Sequence, residues 1–264
     1  MASTTDAWDP AVYERFKAER TQPFLDLMDL VECGSLHRAV DLGCGTGELT
    51  VLAADRLGAG TMVGVDNSAA MLAEAVPRTR ADVSFENGDI GGWTGSGYDL
   101  VLANAALQWV PDHVAVLARW TGALAPGGQI AVQLPTNADH PSHWIAAAVA
   151  EDPAFATDFP DGPPPDPVAD NVLRPEEYAE LLHSLGFDRQ VVRLQVYGHV
   201  LPSTEGVVEW VSGTTLTRVK KVLPADRYRA FVDEYRRRLV AALGEHEPYF
   251  YAFKRILMWG RLAG

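Results

Sequence analysis

The sequence predicts an α/β protein: a doubly wound, seven-stranded, mostly parallel sheet carrying a helical cap as an insertion. Three observations lead there. Short apolar runs alternate with helix-period segments through the first half of the chain, the pattern of βαβ units. The first apolar run leads through Asp41 into a turn with glycines at 43, 45 and 47, and the turn opens into a helix. The regular alternation fails beyond about residue 136, where prolines and long helical stretches interrupt it and helices separate the last two strands.

Taken in order, residues 10–31 read as a helix, with Asp9-Pro10 at its start and Pro23 inside it. His37–Leu42 is the first strand, followed by a helix over 47–57 that stops at Gly58-Ala-Gly60. Thr61–Asp66 is the second strand, and Ser68 caps a helix that runs through Ala75. Val83–Asn87 is the third and ends at Gly88-Asp89. Tyr98–Ala103 is almost continuously apolar, which predicts a central parallel strand covered on both faces. A helix over 112–124 follows, ended by Pro126-Gly127-Gly128, and Gln129–Leu134 is the fifth strand. Prolines 153, 160, 163, 164, 165 and 167 then mark a long loop over 152–168, of the kind that often serves as a lid. Pro175–Leu185 is a helix stopped by Gly186, and Phe187–Leu201 is the sixth strand. Residues 203–216 and 225–243 are helices. In the second, Tyr228, Phe231, Val232, Tyr235, Leu239 and Leu243 keep the 3.6-residue period. Phe250–Leu262 closes the sheet. The expected organisation is one domain, 1–264. Its core is about 34–136, 186–201 and 249–264, with an N-terminal helical segment over 8–33 and a cap over 137–185 and 202–248.

Composition narrows the function classes. With 47% hydrophobic residues in 264, the chain can bury a sizeable core. No apolar run approaches the roughly 18 residues of a membrane span. Met1–Asp6 has neither the basic nor the apolar region of a secretory signal. Cys33 and Cys44 do not make a disulfide framework, and a reducing cytoplasm suits them. A net charge of −13 argues against nucleic acid or an anionic membrane as partner and reads as a solubility device.

The chemistry concentrates where strands end. Glycines in Asp41-Leu-Gly-Cys-Gly-Thr-Gly47 allow positive φ and close ligand approach, and the helix that follows offers N–H groups at its start. Such a turn holds the polar tail of a nucleotide-like cofactor. Asp41 is placed to accept from an ammonium, which points away from a pyrophosphate. Asp66, at the end of the second strand, can hold both hydroxyls of a ribose. Dinucleotide enzymes use the same placement, but Glu48 stands where their third glycine belongs. Asn104-Ala-Ala-Leu-Gln-Trp109 follows the fourth strand, on the edge where open α/β sheets bind ligands; Trp109 is expected in the core. His140 and His143 lack a nearby third metal ligand, and neither a di-acid cluster nor a nucleophilic triad stands out. Residues 218–238 carry eight Arg or Lys against three Asp or Glu, +5 inside an acidic chain. That is mostly a solvated helix face, although one or two of these cations would suit an anionic substrate.

The glycine turn resembles motif I of the class I S-adenosylmethionine-dependent methyltransferases. Over nearly the whole chain, the motif order resembles the trans-aconitate 2-methyltransferase family among them. The residues that carry this are Trp8-Asp-Pro-x-x-Tyr13 with Arg20, Asp66-Asn-Ser-x-x-Met71, Gly88-Asp-Ile90 and Asn104 to His113, then Ala131-Val-Gln-Leu-Pro135, Glu209-Trp-Val-Ser-Gly213 and Phe253-Lys-Arg255. The resemblance implies a Rossmann-like fold and S-adenosyl-L-methionine as cofactor. It places Asp41, Gly43, Cys44 and Gly45 at the cofactor turn and Asp66 at the ribose. Asn67 and Met71 would flank the adenine, Asp89 its amino group and the Ile90 N–H a ring nitrogen, with Asn104 beside the sulfonium. It implies a small polycarboxylic acid as acceptor, with Arg20 gripping a carboxylate of the substrate or of the cofactor, Gln108 and Gln133 orienting the acceptor, and Arg218, Lys254 and Arg255 on its other carboxylates. No metal is expected, because no carboxylate or His/Cys set has ligand spacing, and no general base, because a carboxylate with pKa of roughly 4 is already ionised at neutral pH. The proline-rich 160–167 stretch and the Phe253-Lys-Arg ending depart from the family pattern and bear on the substrate more than on the chemistry. Other classes sharing parts of this pattern are a methyltransferase with another acceptor, a nicotinamide oxidoreductase and a non-catalytic cofactor-binding module.

Overall fold

The computed structural model describes residues 17–34 and 36–264, with side chains from residue 21 onward. The described residues open with α1 (Lys17–Met28), β1 (Arg38–Leu42), α2 (Glu48–Leu57), β2 (Thr61–Asp66), α3 (Ala69–Ala75), β3 (Val83–Asn87) and β4 (Tyr98–Asn104). Then come α4 (His113–Thr121), β5 (Leu124–Pro135), α5 (Pro141–Ala150), α6 (Pro167–Asn171) and α7 (Pro175–Ser184). It closes with β6 (Phe187–Leu201), α8 (Gly206–Ser212), α9 (Thr217–Lys220), α10 (Ala225–Leu243) and β7 (Tyr249–Leu262).

The seven strands form one sheet in the order β3-β2-β1-β4-β5-β7-β6. Pairings among β1 to β5 are parallel, and β7 runs antiparallel to β5. Strand order reverses on either side of β1 and β4, the switch point at which such sheets bind ligands beyond their carboxyl ends. β4 is central, as its apolar run predicts: Leu100 through Ala103 are fully buried.

Two compact units share the chain. The sheet-bearing unit comprises Arg20–Pro135, Asn171–Gln195 and Arg255–Gly264; the other includes Thr136–Asp170 and Val196–Lys254. In the sheet-bearing unit, Val40, Leu42, Val101, Trp120, Ile130, Tyr178, Phe187 and Met258 belong to one core. Helix α7 falls within the expected cap range, yet its Tyr178 and Leu182 are buried in this sheet core. In the second unit Phe231, Tyr235 and Leu239, the predicted stripe of α10, pack with Ile145 and Val149 of α5 and Val207 and Val211 of α8. Full burial of each such side chain stabilises the fold by about 1.5–3 kcal/mol.

Local departures have physical causes. Helix α4 ends at Thr121, and Pro126-Gly127-Gly128 lies inside β5. There Tyr98 pairs with Leu124 but Leu100 with Gln129, so the segment bulges, with Gly127 at φ 74°. A proline and glycines suit a bulge as well as a helix stop. The expected helix 203–216 breaks after Ser212 at Gly213. Trp109 is 41% exposed, not core: in the turn Leu107–Trp109 it is Leu107 and Gln108 that are buried.

Candidate active site

The site begins at the carboxyl ends of β1 and β2. Asp41 is buried, and Thr50 Oγ1 on α2 donates to its Oδ2 at 2.6 Å. Its Oδ1 is also buried and has no hydrogen-bond partner among the described residues. Burial and the nearby Asp66 carboxylate raise the Asp41 pKa to about 7, against the Thr50 hydrogen bond. Such a group is set to receive a cation.

The turn after Asp41 is tied down from β2. Gly43 and Cys44 donate to Val65 O at 2.7 and 3.1 Å, and Gly45 N donates to Asp66 Oδ2 at 2.8 Å. Asp66 Oδ1 accepts from Ser68 N at 2.8 Å, while Ser68 Oγ caps α3 on Met71 N. Each Asp66 oxygen thus spends one lone pair on the backbone and keeps another for a ligand. The glycines have separate reasons. At Gly43 (φ +85°) a Cβ would lie 2.2 Å from Ala106 Cβ, so the loop after β4 packs directly on it. At Gly45 (φ +56°) a Cβ would meet nothing within 4 Å: this is the open side of the turn. Helix α2 then starts at Gly47 with no side-chain cap. Cys44 is buried, and its thiol pKa is pushed far up by burial and by Asp41 and Asp66, which makes it packing rather than a nucleophile.

Asn67 is exposed and Met71 is buried on α3. Asp89 is exposed and holds its own loop, accepting from Gly91 N and Gly92 N at 3.2 Å each. Ile90 is buried, and its carbonyl accepts from Trp120 Nε1 at 3.1 Å.

Further along the same edge, Asn104 and Gln133 are in register on β4 and β5, and Pro135 faces Arg255 on β7. In the amide orientation that satisfies its neighbours, Gln133 donates to Asn104 Oδ1 at 2.7 Å. Its oxygen accepts from Leu134 N at 2.9 Å and from Arg255 Nη1 at 3.0 Å. Gln133 is fully buried and Arg255 nearly so. Three expected site residues therefore form one hydrogen-bonded chain. Gln108 Nε2 turns back to Ala105 O at 2.7 Å, which leaves Oε1 buried with no partner among the described residues.

The other expected anchors are Arg20, Arg218 and Lys254. Arg20 lies on α1 and its side chain is outside the described residues, as is the Trp8–Tyr13 motif. Arg218 and Lys254 belong to the second unit. Arg218 is nearly buried, forms an ion pair with Asp166 at 3.2 Å, and donates to Pro164 O and Thr215 O. It holds the proline-rich segment to α9. Lys254 pairs with Asp139. Along α10, Arg227 pairs with Asp158, Arg237 with Glu234, and Arg238 with Glu234 and Asp152, so much of the basic run meets local acids. His143 is bonded to Asp166 at 2.9 Å and His140 to Ser142 at 2.9 Å. Among the described residues no three His, Cys, Asp or Glu side chains stand together as a metal-ligand set, and no helix is long and apolar enough to cross a membrane. Sequence reasoning missed Thr50, whose signal was its place in the first turn of the helix after the glycines. It also missed the partners of the Gln108 loop, which come from α7 and the residues before it.

Residues 34–177 match the methyltransferase domain family. The chain is 42% identical to the trans-aconitate 2-methyltransferase of Deinococcus radiodurans, over 95% of this chain and 96% of that protein. It is 38% identical to the enzyme of the same name from Variovorax paradoxus, over 97% and 96%. Solved structures at lower identity share the fold. The YcgJ protein of Bacillus subtilis aligns with TM-score 0.58 at 14% identity, covering 92% of this chain and 99% of that one. Phosphoethanolamine N-methyltransferase 2 of Haemonchus contortus, in complex with phosphomonomethylethanolamine and S-adenosylhomocysteine, aligns with TM-score 0.55 at 18% identity, covering 92% and 53%.

Proposed function

The chain belongs to the trans-aconitate 2-methyltransferase family of S-adenosylmethionine-dependent methyltransferases, and from that premise we propose that it esterifies one carboxylate of trans-aconitate or a closely similar small polycarboxylic acid. The observation that carries the acceptor class is the buried Asn104–Gln133–Arg255 chain, a guanidinium held where the parallel strands β4 and β5 end.

The residues present fit the cofactor. Asp41 Oδ1 offers a buried acceptor for its ammonium, Gly45 presents an open side, and Asp66 retains acceptor capacity for two ribose hydroxyls. Asn67, Met71, Asp89 and Ile90 complete the proposed adenine side. When bound, S-adenosylmethionine supplies an electrophilic methyl group on a sulfonium. The acceptor carboxylate is ionised at neutral pH, so its oxygen needs no general base. The work left to the protein is binding and aim, which can lower a barrier by roughly 7–11 kcal/mol. In this reading Arg255 pairs with a substrate carboxylate that is not methylated. Gln133 acts through it and through Asn104, and Arg218 and Lys254 organise the second unit.

Arg255→Lys tests the assignment. A lysine keeps the charge but loses the planar fork. The KM for the acid should rise about tenfold, equivalent to about 1.4 kcal/mol, with cofactor Kd within about twofold. An unchanged KM would remove Arg255 from the acceptor site.

A further inference from the structure

We propose that His113, Tyr178 and Asn171 are positioning residues that hold the loop from Ala105 to Val110, and with it Asn104 and the Gln108 amide, in the geometry acceptor binding requires; the acceptor role of this loop rests on the function proposed above.

The loop needs holding. Ala105 has φ 52° and Asp112 φ 55°, a left-handed conformation that costs a non-glycine residue free energy and persists only where its surroundings over-determine it. At one end Ala105 N donates to Gln133 O at 2.8 Å. The first residue of α4, helix α7 and the residues preceding α7 supply the rest. Asn171 Nδ2 donates to Gln108 O at 2.9 Å. His113 Nε2 lies 2.9 Å from Leu107 O, and His113 Nδ1 lies 2.5 Å from Tyr178 Oη. Leu173 N donates to the same Tyr178 oxygen at 3.2 Å.

These contacts admit one consistent direction. A carbonyl only accepts, so His113 Nε2 carries the proton and donates to Leu107 O. Burial pushes the His113 pKa down, and in the neutral ring Nδ1 is then an acceptor and takes the Tyr178 O–H. The Tyr178 oxygen in turn takes Leu173 N–H. Every member of the chain is satisfied, and both rings are buried, His113 at 2% and Tyr178 at 0% exposure. A fully satisfied buried network rigidifies what it holds. Here it holds the carbonyls of Leu107 and Gln108 while the Gln108 side chain folds back on Ala105 O. The glycine turn has its own ties to Val65 and Asp66, so loosening the loop should leave the cofactor turn in place.

Tyr178→Phe removes the hydroxyl and keeps the ring. Hydrogen exchange on the protein without acceptor should accelerate about tenfold at Ala105, Trp109 and Val110, the scale of one net hydrogen bond, with Gly43 and Gly45 within about twofold. In turnover, KM for the acid should rise about tenfold while Kd for S-adenosylhomocysteine holds within about twofold. His113→Ala should behave the same way. His113→Gln, whose amide can donate to Leu107 O and accept from Tyr178, should recover most of the protection. Exchange is read without turnover, so a wild-type enzyme that methylates no polyacid would defeat the proposed function and leave this test intact. Unchanged loop protection in Tyr178→Phe overturns the inference. So does a uniform acceleration of all amides, which would make the network merely a stabilising one.

Discussion

Asp41 gives the sharpest quantitative prediction. Its pKa of about 7 arises mainly from burial, and its free Oδ1 is the acceptor assigned to the cofactor ammonium. An ammonium pairs with a carboxylate, so binding selects the ionised form. At pH 6 about nine-tenths of a group with that pKa is protonated, and binding must then release about 0.9 proton at roughly 1.4 kcal/mol. Affinity for S-adenosylhomocysteine should therefore fall about tenfold per pH unit below 7 and level off above it. Calorimetry at pH 6 in two buffers of different ionisation enthalpy measures the released proton directly. Asp41→Asn should abolish both the release and the pH slope. At pH 7.5 it should weaken binding by about 1.5–3 kcal/mol, the scale of a charge-assisted hydrogen bond. Stability should move in the opposite sense. A carboxyl raised from 3.8 to about 7 contributes stability that is present below the lower value and lost as pH rises through the upper one, on the order of 4 kcal/mol in all. Asp41→Asn should escape that loss. Binding that is flat between pH 5.5 and 7.5, with no buffer dependence, would refute the reasoning.

Two further predictions concern the frame around the site. Arg218→Ala leaves Asp166 in a nearly buried setting with the His143 imidazole as its remaining side-chain partner, and should lower unfolding free energy in urea by about 3–5 kcal/mol without changing cofactor affinity. His143 and Arg218 hold the Asp166 pKa below its usual value despite burial, so this contribution is present above the ordinary carboxylate range and is lost on acidification. The glycines separate packing from binding. Gly43→Ala drives a methyl into Ala106 and should lower the melting temperature by several degrees, whereas Gly45→Ala should cost about 1–2 kcal/mol of backbone strain and chiefly weaken cofactor binding, read by thermal unfolding and calorimetry together.

How much of this was legible in the sequence follows from how local each signal is. The β1–turn–α2 segment and the Asp66 strand end are set by neighbouring residues, and spacing alone located them. The α10 stripe was legible for the same reason, since 3.6-residue periodicity survives any tertiary arrangement. Pro126-Gly127-Gly128 was ambiguous because the same residues stop a helix or relax a strand into a bulge. Trp109 was misplaced because a tight turn, with no periodicity of its own, decides which neighbour points inward. Charge was harder still. Arg218 pairs with Asp166, 52 residues before it, and the His113–Tyr178 contact joins residues 65 apart in the chain. No local pattern reports such a pairing.

The central claim is methyl transfer to a carboxylate oxygen, and product analysis tests it most directly. Purified protein incubated with S-adenosylmethionine and trans-aconitate should yield a monomethyl ester 14 mass units heavier than the acid, together with S-adenosylhomocysteine, and alkali should release the methyl group as methanol (about one methanol per ester). No methylated product from trans-aconitate or related polyacids, or one whose methyl group withstands alkali, would contradict the account.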